Sequence, residues 1–310
     1  MKRWAVRVAV ATGIAVIGLV SVACLAGALY TPALRAPVGL AGKYLTVKGL
    51  SLRVQQQGAG RDVLLIHGSP GSLEDFAPIT QALRGSFRFT SYDRPGHGYS
   101  EDSGRYDLAY NAEIAEALLD QLGLTRAIVV GHSYGGSTAL ALALRKSARV
   151  SAYVVIDSAI YRRVQPQSGL YHVLALPALG PGLARLMPES AAQRRIQAGL
   201  AREFAPSAPP SGFVTLRSRI WSQPKVTHAL ATESVEYDRA LAEQTPRYPS
   251  IRAPLCVLAQ RDQAQRRANA ERLVREVPGA ELTLVENTGH FVQFQRPDAV
   301  IAAIQRAALR

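Results

Sequence analysis

Gly131-His132-Ser133-Tyr134-Gly135 sets a serine between two glycines, and its flanks say what such a serine is for. The wholly apolar run Ala127–Val130 leads straight in, and the Ala/Leu-rich stretch Ala139–Leu144 leads straight out. Strand, sharp turn and helix in immediate succession put a hydroxyl at the tip of a strained turn, where residues without side chains at 131 and 135 let strand and helix pass closely. A serine alcohol is a poor nucleophile without a base, and histidine titrates in the right range. Of His67, His97, His132, His172, His228 and His290, only His290 lies at the last strand-to-helix junction, after Leu282–Val285. The chain order serine, acid, histidine makes it the expected base. His67 and His132 are expected to make structural hydrogen bonds; packing is the default for His172 and His228. The acid that orients the imidazole should follow a strand ahead of His290. Asp262, three residues beyond Leu255–Ala259, is the leading candidate, and Asp157, at the end of Val150–Ile156, is the alternative. Negative charge on a tetrahedral intermediate needs backbone donors. The Tyr134 N–H and, in the loop His67-Gly68-Ser69-Pro70-Gly71, the Ser69 N–H are the candidates, because Pro70 has none to give.

The elements that must hold these residues alternate in period. Lys43–Val47 and Leu50–Gln57 read as a strand pair, and Val63–Ile66, Arg88–Tyr92, Ala127–Val130, Val150–Ile156, Leu255–Ala259 and Glu281–Val285 as further short strands. Leu108–Leu122 has helical apolar spacing and stops at Gly123, and Asp298–Leu309 is a terminal helix. Short apolar strands separated by helices predict an α/β fold with a mostly parallel sheet covered on both faces. Residues 43–157 and 251–310 form this core. Residues 158–250 break the rhythm with ten prolines and no convincing strand. So long an insertion reads as a small helical cap, whose Tyr161, Tyr171, Leu174, Leu176, Phe204, Phe213 and Trp221 are available to wall an apolar pocket or to form the cap's own core.

The net charge of +13 over 310 residues resembles a nucleic-acid signal until it is located. Residues 1–61 carry eight basic and no acidic residues, whereas residues 62–157 are slightly acidic, and no run of five basic residues occurs. No nucleic-acid partner is expected. After a basic head (Lys2, Arg3, Arg7), residues 8–30 hold no charge, a length sufficient to cross a bilayer. Residues 1–30 are therefore read as a membrane anchor, and residues 31–42 as a linker. The alternative is a signal peptide cleaved at Ala26-Gly27-Ala28, with secretion of the body. The short basic head favours the cytoplasmic side, which puts the body outside. Cys24 and Cys256 are too few and too far apart in kind of environment for a disulfide framework.

Together with Asp93-Arg94-Pro95-Gly96-His97-Gly98-Tyr99-Ser100 and Gly289-His290-Phe291, the motifs around Ser69 and Ser133 and the residue Asp262 resemble, in order and spacing, the α/β-hydrolase superfamily over about residues 43–310. The resemblance implies an eight-stranded sheet, a cap after the sixth strand and no required cofactor, and a mainly structural role for the 93–100 loop. Relatives that open epoxides or remove halide normally carry aspartate where this chain has Ser133. Where such proteins show Gly-x-x-Asp before the acid, this chain has Ala259-Gln260-Arg261-Asp262 followed by a polar run. The expected activity is hydrolysis of a small, apolar carboxylic ester through Ser133, His290 and Asp262. C–C bond hydrolysis, lactonase, amidase and perhydrolase chemistry, and an inactive membrane-tethered binding protein, remain open alternatives.

Overall fold

A computed structural model describes residues 2–29, 36, 39–162 and 168–310. In chain order the elements are α1 (Lys2–Ala28), β1 (Lys43–Val47), β2 (Leu50–Gly58), β3 (Arg61–Ile66), α2 (Ala77–Leu83), β4 (Phe87–Tyr92), α3 (Leu108–Gln121), β5 (Ala127–His132), α4 (Tyr134–Leu144) and β6 (Val150–Ile156). Among the described residues, five helices follow without a strand: α5 (Gly169–Leu174), α6 (Leu179–Leu186), α7 (Glu189–Glu203), α8 (Phe213–Trp221) and α9 (Pro224–Gln244). The chain then returns through β7 (Leu255–Gln260), α10 (Ala264–Glu276), β8 (Glu281–Val285), α11 (Val292–Gln295) and α12 (Pro297–Ala308). Most of the expected linker, residues 31–35, 37 and 38, lies outside the described residues, as does Pro166 of the cap.

The strands form one eight-stranded sheet in the order β1-β2-β4-β3-β5-β6-β7-β8. Pairing is antiparallel on both sides of β2 and parallel from β4 to β8. The central strands are apolar without alternation because both their faces are covered. Val63 and Leu65 of β3 join a cluster with Ile79 of α2 and Ile304 of α12. Leu64 and Ile66 of the same strand point the other way, into a cluster with Leu118 of α3, Leu140 of α4 and Leu273 of α10. Helix α10 has no counterpart in the sequence reading: only Ala270 and Leu273 of its thirteen residues are buried, too few for an apolar period to show.

Helix α1 differs from the rest. The most apolar 18 residues within Arg3–Gly27 have a mean hydropathy of 2.5, and the helix is long and apolar enough to cross a membrane, as a retained anchor or a signal sequence would be. Its C-terminal end packs on α6, where a Cβ on Gly182 would fall on the Ala23 carbonyl.

Candidate active site

The carboxyl ends of β5, β6 and β8 converge, as ligand sites in open parallel sheets do. Ser133 follows β5 with φ 54° and ψ −122°, a conformation that costs about 1–3 kcal/mol and persists only where its surroundings enforce it. The glycines provide the room. A Cβ at Gly131 would strike the Gly135 carbonyl, one at Gly135 the Ile66 carbonyl, and one at Gly136 the Ser158 hydroxyl. The Ser133 N–H donates to the Ile156 carbonyl at 2.9 Å, which pins the turn to the end of β6. The Ser158 hydroxyl donates to the Ser133 carbonyl at 2.6 Å.

His290 Nε2 lies 2.9 Å from Ser133 Oγ, and its Nδ1 lies 2.6 Å from Asp157 Oδ2. The acid beside the imidazole is therefore Asp157, the alternative, and not Asp262. Asp157 directly follows β6, next to β5 in the sheet, with a fully buried side chain and φ 45°. Asp262, beyond β7, is exposed to solvent. The polar turn around Asp262 instead serves Asp157: Gln260 Nε2 donates to Oδ2 at 2.6 Å, and Arg266 Nη1 lies 3.0 Å from the same oxygen and 2.7 Å from the Asp157 carbonyl. Burial alone raises a carboxyl pKa, but the Arg266 charge, then His290 and Gln260, outweigh it and hold Asp157 at about 2. Neither Gln260 nor Arg266 was singled out by the sequence reading. The departure from Gly-x-x-Asp was the available signal.

His132, His67 and His97 are supports. His132 Nε2 lies 2.8 Å from the His290 carbonyl, and burial with the neighbouring His290 pushes its pKa down to about 3. His67 is driven well below the ordinary imidazole range by burial and by the Arg94 charge, so it is neutral. It accepts from the Arg94 N–H at Nε2 (2.9 Å) and donates from Nδ1 to the Gly68 carbonyl (2.8 Å). Arg94, fully buried, donates to the His67 and Gly68 carbonyls at 3.1 and 2.8 Å and pairs with Glu233 of α9. Its guanidinium lies 4.6 Å from the centre of the Tyr134 ring. The 93–100 loop thus holds the 67–69 loop in place and ties it to the cap helices. His97 takes part through a 3.0 Å contact to Glu233.

A cavity of about 480 Å³ opens over Ser133 and His290. Gly68 and Ser69 line it on the core side; Tyr171, Leu174 and Trp221 line it from the cap helices. A Cβ at Gly68 would lie 3.0 Å from Ser133 Cβ, so the 68–69 peptide abuts the serine. Phe204 and Phe213 instead pack with Phe291 inside the cap cluster, Tyr161 bonds to Glu276 at 2.6 Å, and Leu176 faces outward. The cap also touches the histidine loop directly, through the His290 N–H to the Glu203 carbonyl at 2.7 Å.

Among curated proteins, the 2-hydroxymuconate semialdehyde hydrolase of Pseudomonas putida is 38% identical over 126 residues, 38% of this chain and 43% of that protein. The chain thus spans less than half the length of that relative. Haloalkane dehalogenase 2 of Mycobacterium tuberculosis is 27% identical over 261 residues, covering 80% of this chain and 88% of the other. The sn-1-specific diacylglycerol lipase of Mus musculus is 26% identical over 247 residues, 78% and 79% of the two chains. The model of the alpha/beta hydrolase family matches residues 63–303, most of the sequence and all three strand ends that meet at Ser133, and the chain belongs to that family.

Proposed function

We propose that the protein is a serine hydrolase that cleaves carboxylic esters through an acyl-enzyme. The observation that carries this reading is the unbroken path from Asp157 Oδ2 to His290 Nδ1 (2.6 Å) and from His290 Nε2 to Ser133 Oγ (2.9 Å). Ser133 Oγ attacks the ester carbonyl as its proton passes to His290 Nε2. Asp157, ionised and buried, fixes the Nδ1–H tautomer and stabilises the imidazolium that forms. The negative oxygen of the tetrahedral intermediate is held by the N–H groups of Tyr134 and Ser69. Tyr134 N–H stands in the first turn of α4, where backbone donors lack helical partners. In a planar trans peptide C=O and N–H point opposite ways. The Gly68 carbonyl is held by Arg94 and His67, which aims the Ser69 N–H away from them. The C–O bond breaks as Nε2 returns the proton to the leaving alcohol. Water, deprotonated by the same nitrogen, then attacks the acyl carbon and releases the acid and Ser133.

Serine at position 133 disfavours halide removal despite the dehalogenase match, since that chemistry normally uses aspartate at the elbow. C–C bond hydrolysis is the second reading, favoured by the match to the semialdehyde hydrolase. The chain is further proposed to keep α1 as an anchor, with the body on the outer face of the membrane. The test of activity is kcat/KM for the full-length protein over esters, lactones, amides and vinylogous diketones, beside Ser133→Ala. Ester turnover abolished by the substitution supports the reading. Turnover of the diketone alone overturns it in favour of C–C hydrolysis.

A further inference from the structure

We infer that the outer face of cap helices α5 and α6 lies on the membrane surface, so that the cavity over Ser133 takes its acyl substrate from the bilayer. The inference rests on the ester-hydrolase and anchor readings above. Its first observation is a length. Residues 3–22 of α1 are exposed throughout, and burial begins at Ala23. At about 1.5 Å per residue the uncharged part of that stretch, residues 8–22, reaches about 22 Å, so a hydrocarbon core of about 30 Å also takes in the part of α1 from Ala23 onward that packs on the body. Contact between α1 and the body thus starts before the uncharged run ends, at the outer edge of the bilayer.

The second observation is what α1 touches there. Gly27 lies against Ala178, whose carbonyl would be 2.9 Å from a Cβ at Gly27, and Gly182 of α6 is closed over by the Ala23 backbone. Small residues at this crossing let the two backbones approach closely. Helix α6 is therefore fixed at the foot of the span.

The third is the apolar surface beside that foot. Leu170, Val173, Leu176 and Leu186 of the α5–α6 segment are each 41–48% exposed. Leu170 and Val173 are three residues apart on one face of α5, while Tyr171 and Leu174 of the same helix line the cavity. Met187, at the end of α6, lines it as well. One pair of helices thus presents aliphatic side chains outward next to the span and forms the cavity wall inward. A short amphipathic segment held at a bilayer surface buries such side chains in the interface. A substrate dissolved in the lipid then has only that wall to cross.

The test uses the full-length protein in phosphatidylcholine–phosphatidylglycerol nanodiscs. An environment-sensitive fluorophore is placed on Leu176→Cys or Leu186→Cys in a Cys24→Ala background, with Asp298→Cys on α12 as control. Quenching by spin-labelled lipid at 176 and 186 but not at 298 supports the inference. Equal quenching at all three, or none, overturns it. The activity arm compares kcat/KM for a bilayer-dissolved long-chain ester with that for a water-soluble short-chain ester. Leu176→Asp/Leu186→Asp, neither residue lining the cavity, should lower that ratio at least about tenfold. An unchanged ratio overturns delivery from the membrane. Loss of all ester turnover in the unsubstituted protein would overturn the ester reading instead, and the quenching result would still decide the docking.

Discussion

Asp157 carries more of the proposed chemistry than its position in an apolar strand suggests. Its carboxylate serves His290, Gln260 and Arg266 at once, and its ionisation is maintained against burial by the Arg266 charge. Asp157→Asn should lower kcat by a factor on the order of 10³–10⁴, whereas Asp262→Asn should stay within about twofold of wild type; steady-state kinetics on one ester checks both. A pH dependence follows as well. Because folding depresses this pKa from 3.8 to about 2, its contribution to stability is complete above pH 3.8 and is lost as pH falls towards 2. The pH-dependent part is about 2 kcal/mol. In urea denaturation of wild type against Asp157→Asn, other buried acids cancel in the difference. The wild-type advantage should be flat from pH 7 to about 4 and shrink below. Ser133 and His290 were legible in the sequence because flanking strands and glycines mark them locally. The acid was not, because an aspartate follows both β6 and β7, and only the adjacency of β5 and β6 with the outward turn after β7 decides between them.

At the scale of elements, the cap helices are fixed to the core by buried charge. Arg94 and Glu233 are both about fully buried, and the same guanidinium holds the 67 and 68 carbonyls beside Ser133. Burial by itself lowers the Arg94 pKa, but Glu233 outweighs it and keeps the guanidinium charged, whereas burial raises the Glu233 carboxyl against the pull of Arg94. Glu233→Ala leaves a buried guanidinium without its counterion and should destabilise the protein by about 3–5 kcal/mol. Asp298→Ala, which removes an exposed pair with Arg296, should cost less than about 1 kcal/mol. Urea denaturation of the two variants measures the contrast. The strands of the sheet were readable from runs such as Val150–Ile156, which begin and end where expected. Helix α10 escaped because a surface helix with two buried side chains has almost no hydrophobic period. The cap was legible as an insertion, but which of its aromatic residues face the cavity depends on helix packing that composition does not encode.

The whole molecule is a hydrolase body standing on one long apolar helix. The membrane-length run was visible in the sequence. Its seat on α6 was not, because a crossing made by Ala23, Gly27 and Gly182 leaves no pattern in a single chain. With α1 retained, the full-length protein should stay in the membrane pellet through an alkaline carbonate wash with an intact mass that includes residues 1–28. Recovery in the supernatant without them would show a cleaved signal segment instead. The net charge of +13 is divided between the two parts of the chain: residues 1–61 carry eight basic and no acidic residues, and the cap and the C-terminal part of the core are basic as well. The most direct measurement of the central claim is intact-mass analysis of the full-length protein after exposure to a fluorophosphonate, beside Ser133→Ala. The expected result is a single adduct on the wild type, none on Ser133→Ala, and undiminished labelling of Asp262→Asn. An unlabelled wild type, or an adduct that persists without Ser133, would contradict an activated serine at this site.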